Sequence, residues 1–266
     1  MGADVFAFKQ FTIQQGGASM KVNTDGVLLG AWFELPADVQ QLKILDVGCG
    51  VGVIALMAAQ RFFAAEKGGY QQPPIIDAID IDFRSCTLAK RNFEESPWSS
   101  CLCVYNAAFQ NFTPQESEGG RDSYNVIVSN PPYFNNALKN PDERKSAARH
   151  TSELSHTELI EGAFEKLSEQ GRLAVVLPVG EFEQFAQSAS SIGLTLTRRC
   201  EVFTKSSDSS PRRILAEFTK GEYCTMTMAT SCLKQIPKKE RLSIMNEKLS
   251  YTKEYRELTS DFYLKF

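Results

Sequence analysis

The sequence is poor in the residues that bind metals or form disulfides. Its 266 residues include two histidines, too few to complete a usual zinc set, and seven cysteines without a CxxC pair. No stretch approaches the ~20 apolar residues that cross a bilayer, and the first residues lack the apolar core of a signal peptide. We therefore expect reduced thiols, no metal, no membrane attachment and a cytoplasmic protein.

The composition is that of an ordinary globular protein, with 42% hydrophobic and 23% charged residues, but the charge is uneven along the chain. Residues 1–193 hold 15 basic and 23 acidic residues, a net charge of −8, whereas residues 194–266 hold 14 and 9, a net charge of +5. A basic C-terminal part favours a polyanionic partner. A solvated surface whose sign drifts along the chain is the alternative.

Strand and helix patterns alternate along most of the chain. Residues 42–47 form a short apolar run, and residues 53–63 follow with apolar positions at helical spacing. Further strands are predicted at 75–81, 101–105, 124–129 and 172–178, and further helices at 85–95, capped by Ser85, and at 154–167. Such alternation predicts an α/β fold with a mostly parallel sheet and helices on both faces. Residues 194–203 and 214–219 are predicted to add an antiparallel hairpin at one edge, which makes seven strands.

The organisation predicted from these patterns is one globule with two additions. We expect an N-terminal extension over residues 1–41, the sheet domain over residues 42–220 and a basic tail over residues 221–266. Two loops rich in glycine and polar residues interrupt the sheet domain, but neither has the character of a domain linker.

Three glycines alternate directly after the first strand of the predicted sheet, in Asp46-Val-Gly48-Cys-Gly50-Val-Gly52. At the mouth of a parallel strand they allow a tight turn and the close approach of a ligand. A GxGxxG dinucleotide turn would need Gly or Ala at Val53, and Asp46 would be unfavourable beside phosphates. The DxGxGxG form resembles the first motif of S-adenosylmethionine-dependent methyltransferases with a Rossmann-like sheet. A purely structural turn is the alternative.

Acidic residues also follow the next predicted strand, at Asp80 and Asp82. A carboxylate at such a strand end can accept hydrogen bonds from both hydroxyls of a ribose, so Asp80 is the predicted cofactor ligand. Ile81 is predicted to pack on the adenine ring of that cofactor. The alternatives are that Asp82 is the ligand, or that both carboxylates only cap the helix near Ser85.

The motif Asn130-Pro131-Pro132-Tyr133 directly follows the predicted strand at 124–129, at the same sheet edge as the glycine turn. The two prolines hold the loop rigidly and leave the Pro131 carbonyl free to accept a hydrogen bond. Together with the Asn130 side chain, it can bind both hydrogens of a planar NH2 group and aim the nitrogen lone pair at a methyl group. Tyr133 offers a face on which a flat substrate can stack. Taken alone, Asn-Pro-Pro is also ordinary turn chemistry.

Several segments between about residue 6 and the C-terminus resemble the bacterial tRNA(Val) adenine-N6-methyltransferase family. They are Phe8-Lys-Gln-Phe11, Met20-Lys-Val-Asn-Thr-Asp-Gly-Val-Leu-Leu-Gly-Ala-Trp32, Asp46 to Gly52, Ser96-Pro-Trp98, Ser129 to Tyr133, Val175-Val-Leu-Pro178 and Phe262-Tyr-Leu264. The glycine turn and NPPY are shared by many amino-group methyltransferases, whereas the second segment and the ending point to this family. The resemblance implies a class I methyltransferase fold, S-adenosylmethionine as donor, and the adenine immediately 3′ of the anticodon as the methylated base.

The same resemblance implies roles for the residues of the NPPY motif and of the cofactor site. Asn130 and Pro131 would accept the amino hydrogens of the adenine, and Tyr133 would stack on it. Asp80 would hold the cofactor ribose. The residues implied near the methionine end of the cofactor are Lys21, Thr24 and Asp25.

One position departs from the family pattern. Relatives usually carry an Asp after the third strand to bind the adenine of the cofactor, and this sequence has Ala108 there. The backbone near Phe109 is expected to read the adenine edge instead, with Asn106 as a second way to compensate.

Basic side chains are expected to set the register of a bound tRNA through its phosphates. A base in the single-stranded loop of the anticodon stem-loop costs little to splay out, which makes this part of the tRNA the expected partner. The candidate RNA-binding residues are Lys139, Arg144, Lys145, Arg149, Arg212, Arg213, Lys238, Lys239 and Arg241. Acidic residues interrupt these groups, so a solvated surface is the alternative for any single one.

Two rival hypotheses stand beside methylation of a tRNA adenine. The first is the same chemistry on the glutamine of a release factor or on a guanine of ribosomal RNA. The glutamine enzyme normally brings a helical N-terminal domain, whereas only 41 residues precede the first strand of the predicted sheet here. The second is a cofactor-binding RNA chaperone that no longer catalyses, which the departure at Ala108 would fit.

Overall fold

The computed structural model describes residues 4–37, 39–65, 70–113, 123–132, 154–221 and 237–266. The strands are β1 (Val5–Ala7), β2 (Thr12–Gln14), β3 (Lys43–Val47), β4 (Ile75–Asp80), β5 (Leu102–Asn106), β6 (Tyr124–Ser129), β7 (Leu167–Pro178), β8 (Leu194–Lys205), β9 (Arg213–Lys220) and β10 (Lys238–Met245). The helices are α1 (Thr24–Trp32), α2 (Val53–Ala64), α3 (Phe83–Glu94), α4 (His156–Lys166), α5 (Val179–Ile192) and α6 (Lys253–Thr259).

An eight-stranded sheet carries the fold, in the order β10-β8-β9-β7-β6-β3-β4-β5. Only β9 runs antiparallel to its neighbours, β7 and β8. The predicted α/β fold with a mostly parallel sheet is therefore confirmed. The predicted number of seven strands is wrong, and so is the placement of the hairpin at the edge, because β10 pairs in parallel with β8 beyond it.

Side-chain contacts of Glu240 hold β10 to the sheet. Its carboxylate accepts from Arg198 Nε at 2.9 Å, from Lys238 Nζ at 2.8 Å and from Trp32 Nε1 at 2.7 Å. Burial opposes ionisation of Glu240, yet these hydrogen bonds outweigh it and lower the pKa to about 2. The segment predicted as a basic tail thus contributes an edge strand tied to α1 and β8.

Two hydrophobic clusters cover the two faces of the sheet. Helices α1, α2, α3 and α6 pack on one face, and α4 and α5 pack on the other. Strands β3, β4 and β6 are buried along most of their length, as parallel strands with helices on both faces must be. The polar side chains that carry function are consequently confined to the strand ends.

Helix α3 begins two residues earlier than the sequence predicted. The side chain of Asp82 accepts from the amides of Arg84 and Ser85, each at 3.2 Å. Asp82 is therefore the N-cap, and the prediction of Ser85 as the cap is wrong. Ser85 instead donates its hydroxyl to the Asp82 carboxylate at 2.6 Å.

Three helices were not predicted, namely α1, α5 and the short α6 in the C-terminal segment. Helix α1 is buried from Gly26 to Trp32, so it lacks the alternation of polar and apolar faces that identifies a surface helix. Helix α5 has a regular buried stripe of Phe182, Phe185 and Ala189, a helical spacing that does mark it in the sequence.

The described part of the chain offers no sign of a metal centre or a membrane helix. Within it, no group of three or more His, Cys, Asp and Glu side chains could hold a metal ion. None of its helices is both long and apolar enough to cross a membrane. Its five cysteines are free thiols.

Candidate active site

The three glycines of the turn between β3 and α2 are needed for different structural reasons. All three have positive φ, 70° at Gly48, 53° at Gly50 and 84° at Gly52, which side chains rarely adopt. A Cβ on Gly48 or Gly50 would meet no described atom within 4 Å, whereas one on Gly52 would lie 2.4 Å from the ring of Phe93. Gly52 thus permits α3 to pack closely, and the other two leave open space above the backbone for a ligand.

Asp46 lies beneath this turn and not on its open side. Its side chain is 0% exposed, and Oδ2 accepts from the amide of Ala55 in the first turn of α2 at 3.1 Å. Among the described residues Oδ1 has no hydrogen-bond partner. Burial raises the pKa of Asp46 to about 7, with a further contribution from the charge of Asp80. Asp46 therefore supports the turn by holding α2 against β3.

Asp80, at the end of β4, faces the glycine turn. Its Oδ2 accepts from the amide of Gly50 and its Oδ1 from the amide of Asp82, both at 2.8 Å. Burial raises its pKa, and these two amides offset part of that effect. Asn106 donates from Nδ2 to the carbonyls of Asp80 at 2.9 Å and Ile81 at 3.0 Å. The Asn106 amide group is thus engaged in fixing the end of β4.

The region where a cofactor adenine would lie has exposed apolar side chains. Ile81 is 53% exposed and Phe83 is 74% exposed. Ala108 caps a short 3-10 helix, Phe109–Asn111, without a side-chain hydrogen bond. The Phe109 ring is buried and packs so closely on Gly162 that a Cβ added to this glycine would lie 2.6 Å from the ring. Only the backbone of Phe109 therefore remains available to a ligand.

The Asn130–Pro132 corner begins directly beside the glycine turn. Val47, the last residue of β3, pairs in register with Ser129, the last residue of β6. The Ser129 hydroxyl donates to the Val47 carbonyl at 2.9 Å in the buried interior. This bond fixes the two strand ends to each other, so the turn and the corner start at neighbouring positions. Pro131 is buried and Asn130 and Pro132 are partly exposed.

The first turn of α1 meets this corner. Asn23 caps the helix by accepting from the Gly26 amide at 2.8 Å. A Cβ on Gly26 would lie 3.5 Å from Val53 Cγ1 and 4.0 Å from Asn130 Nδ2. The starts of α1 and α2 and the end of β6 thus converge on one point.

The predicted residues near this first turn make contacts within the chain. Lys21 forms an ion pair with Asp4 at 3.5 Å, and Thr24 is exposed at the start of α1. Asp25 accepts from Arg213 Nε at 2.9 Å. The segment holding Lys21, Thr24 and Asp25 therefore lies beside the corner, with its two charged side chains already paired.

The predicted RNA-binding residues that the structure describes lie on different elements and, in β10, on both faces of the strand. Arg212 is exposed in the β8–β9 loop, and Lys238 pairs with Glu240. Since strand side chains alternate, Lys239 and Arg241 point to the opposite face of the sheet from Lys238. The predicted residues outside the described ranges are Tyr133, Lys139, Arg144, Lys145 and Arg149.

Asn92 is a supporting residue that the sequence analysis missed. It is 0% exposed on α3, donates from Nδ2 to the Val51 carbonyl at 2.9 Å and accepts from the Gln14 amide at 2.8 Å. It therefore joins β2 to the glycine turn. The sequence feature that could have identified Asn92 is a polar residue among apolar helix positions such as Ala89 and Phe93.

Comparisons with known proteins agree with this geometry. A family model described as "Methyltransferase small domain" matches residues 28–181, more than half of the chain. A relative from Trichodesmium erythraeum, named tRNA1(Val) (adenine(37)-N6)-methyltransferase, is 39% identical, with all of both chains covered. Proteins with the same name from Bacteroides fragilis and Photobacterium profundum are each 38% identical, covering 100% and 98% of both chains.

A solved structure confirms the fold class. The crystal structure of a predicted O-methyltransferase from Agrobacterium tumefaciens matches with a TM-score of 0.56 at 14% identity. The match covers 90% of this chain and 96% of that chain. The predicted class I methyltransferase fold is thereby confirmed, with an eighth strand in the main sheet.

Proposed function

This chain belongs to the tRNA1(Val) (adenine(37)-N6)-methyltransferase family, and we propose that it transfers a methyl group from S-adenosyl-L-methionine to N6 of adenine 37 in tRNA(Val). The observation that carries the proposal is the register pair Val47 and Ser129. It sets a cofactor-type glycine turn and an amine-binding corner side by side at one sheet edge. The anticodon stem-loop is the part of the tRNA that enters the site.

The donor fits the open side of the glycine turn. When bound, it supplies a methyl group on a positively charged sulfur, and the products are N6-methyladenine, S-adenosylhomocysteine and one proton. The unfilled space at Gly48 and Gly50 admits the donor close to the backbone. Asp80, held by the Gly50 amide, presents its remaining lone pairs to the ribose hydroxyls. Ile81 would cover the donor adenine, and the backbone around Ala108 and Phe109 would read its edge.

The chain's contribution to the reaction is orientation. An adenine amino group is a weak nucleophile because its lone pair is delocalised into the ring. The Asn130 side-chain oxygen and the Pro131 carbonyl accept its two hydrogens, so the lone pair points toward the neighbouring turn. Pro131 and Pro132 restrict the backbone, which keeps both acceptors in place before the substrate arrives. Tyr133, the next residue in the sequence, lies outside the described residues, and its predicted role is to stack on the adenine.

Labelled donor tests the proposal. The protein is incubated with methyl-labelled S-adenosylmethionine and total tRNA from a strain that lacks the modification, followed by nucleoside chromatography. Label in N6-methyladenosine of tRNA(Val), absent from a transcript with guanine at position 37, is expected. Label only in protein, as a release-factor enzyme would give, or label in guanine contradicts the proposal. No label in any acceptor, with intact donor binding, favours a non-catalytic chaperone.

A further inference from the structure

We propose that the turn at residues 246–250, with Leu249 at its tip, is a docking site for the loop of the tRNA substrate. This inference rests on the proposed function, since it names a contact surface for that substrate. We use the name outer rim for this turn together with the β8–β9 loop at residues 205–212.

Leu249 has an unusual conformation for its residue type. Its φ is 58°, a region that a branched, bulky side chain rarely adopts. The side chain is nevertheless 63% exposed, so no burial within the described chain compensates for the strain. Strain of this kind persists only where the surrounding structure imposes it, and it concentrates at binding sites.

The turn is held by a dense set of hydrogen bonds. Asn246 Oδ1 accepts from the amides of Lys248 at 2.9 Å and Ser250 at 3.1 Å. Backbone bonds join Asn246 N to the Ser250 carbonyl at 2.8 Å and Leu249 N to the Asn246 carbonyl at 3.1 Å. The Ser206 amide donates to the Met245 carbonyl at 2.8 Å, which attaches the turn to the β8–β9 loop. Leu249 is therefore presented on a fixed support, with little entropy to lose on binding.

The strand register locates the outer rim relative to the Asn130 corner. Ser129 pairs with Val175 of β7. Three residues further along β7, Pro178 pairs with Arg213 of β9, which in turn pairs with Val202 of β8. Strand β8 continues to Lys205, which pairs with Met245. The outer rim thus projects about 20 Å further along the strand direction than Ser129, and lies four strands to its side, about 19 Å away.

The predicted cofactor residues lie on one side of β6, which leaves the other side, with the outer rim, for the tRNA. The glycine turn and Asp80 follow β3 and β4, on one side of β6, whereas the outer rim follows β8 and β10 on the other. A folded RNA loop that places one base on Asn130 cannot occupy the donor's side. It therefore extends over β7 and β9 toward the outer rim.

The charge of the outer rim suits a phosphate backbone. Its exposed cations are Lys205, Arg212, Lys248 and, on the adjoining strand, Arg241. Within the described chain none of these four forms an ion pair, and the acids there are Asp208 and Glu247. Arg241 is already ordered, with its guanidinium 3.8 Å from the centre of the Phe203 ring and Nη2 3.4 Å from the Ser206 carbonyl. An apolar tip among exposed cations, of which Arg241 is already ordered, matches an unstacked base flanked by phosphates.

Substitution with glycine separates binding from folding. In Leu249→Gly the residue suits the positive φ, so the melting temperature should not fall. The KM for tRNA(Val) is expected to rise about tenfold with kcat and donor affinity unchanged, the loss expected when one apolar side chain no longer packs on a base. Leu249→Asn, which also tolerates this conformation, should do the same. Phe63→Ala removes a 50% exposed side chain near the far end of α2 and is the matched control, with no change in KM.

Direct tRNA binding, measured as a dissociation constant across salt concentrations, distinguishes the possible failures. Unchanged tRNA affinity in both Leu249 variants overturns the inference. So does a wild-type dimer that Leu249→Gly converts to a monomer without loss of tRNA binding, since the turn would then contact a second copy. A wild-type protein that binds tRNA through Leu249 but labels no adenine would overturn the proposed function and leave the docking site standing.

Discussion

Arg213, the first residue of β9, donates from Nε to Oδ2 of Asp25 in the first turn of α1 at 2.9 Å. Both side chains are partly buried, with 31% and 20% of their surface exposed. The pair joins the start of β9 to the helix turn whose Gly26 lies against Asn130. The sequence predicts cofactor contact for Asp25 and RNA contact for Arg213, whereas their pairing gives both residues a positioning role at this turn.

Arg213→Ala tests that role. Loss of this contact between β9 and α1 lets the first turn of α1 shift, so kcat should fall about tenfold through misplacement of the reacting groups. Arg213→Lys, which keeps the charge, should recover part of kcat. Steady-state kinetics with tRNA(Val) measures both. A rise in the KM for tRNA with kcat unchanged would instead identify Arg213 as an RNA contact.

Asn130→Ala tests the amine-binding corner. One of two acceptors for the adenine amino group is lost, so kcat should fall about 10²- to 10³-fold, the range seen when one preorganised hydrogen-bonding group is removed. Donor affinity, measured by calorimetry, should change little because the glycine turn is intact. Ser129→Ala, one residue earlier, is the control for corner stability and should lower the melting temperature through loss of its bond to Val47. Abolished donor binding in Asn130→Ala would contradict the assigned role.

Ala108→Asp tests the departure from the family pattern. Ala108 is the N-cap of the 3-10 helix Phe109–Asn111 and has a β-region backbone, with φ −73° and ψ 139°. An Asp there can accept from the adenine amino group of the donor, so donor affinity should rise about tenfold. Ala107→Asp, one residue earlier, is the control. Equal affinities in wild type and Ala108→Asp would mean that the backbone already satisfies the adenine edge.

Local patterns in the sequence predicted the elements that surround the site. The runs before Gly48 and before Asn130 are short and mostly apolar, and each ends at a glycine or proline turn. Their strands and the sheet edge that they share could therefore be inferred from residue pattern and turn chemistry alone. The family resemblance, which the comparisons confirm, identified the chemistry. Strand β10 escaped because it begins Lys-Lys-Glu-Arg and reads as a solvated tail. Its place depends on Glu240 meeting Arg198 and Trp32, which lie 42 and 208 residues away.

The same limit applies to charge pairs inside the site. Sequence motifs placed Asp46, Asp80 and Asp25 near the cofactor, but not the direction in which each carboxylate points. That direction depends on partners brought together by the fold, such as the Ala55 amide for Asp46 and Arg213 for Asp25. The residue types of the site could thus be predicted from the sequence. Which of these residues face a ligand and which only support the backbone could be decided only from the structure.

Asp46 should give the protein a stability that falls as pH rises. Its pKa is raised by burial from 3.8 to about 7, so between these values the folded state binds a proton that the unfolded state has released. The free energy of unfolding therefore decreases with increasing pH across this window and levels off above pH 7, with an upper bound of about 4 kcal/mol on the total change.

Asp46→Asn isolates this effect, because an amide can accept from Ala55 N without ionising. The variant should be more stable than the wild type at pH 8 and should lose that advantage toward pH 5. Urea unfolding at pH 5, 6, 7 and 8 measures the difference between the two proteins, which cancels groups that titrate equally in both. Asp208→Asn, in the β8–β9 loop, is the control for a carboxylate-to-amide change outside the site. If the difference between Asp46→Asn and wild type is constant across the range, Asp46 does not change its protonation between the folded and unfolded states there, and the predicted effect of its burial is wrong.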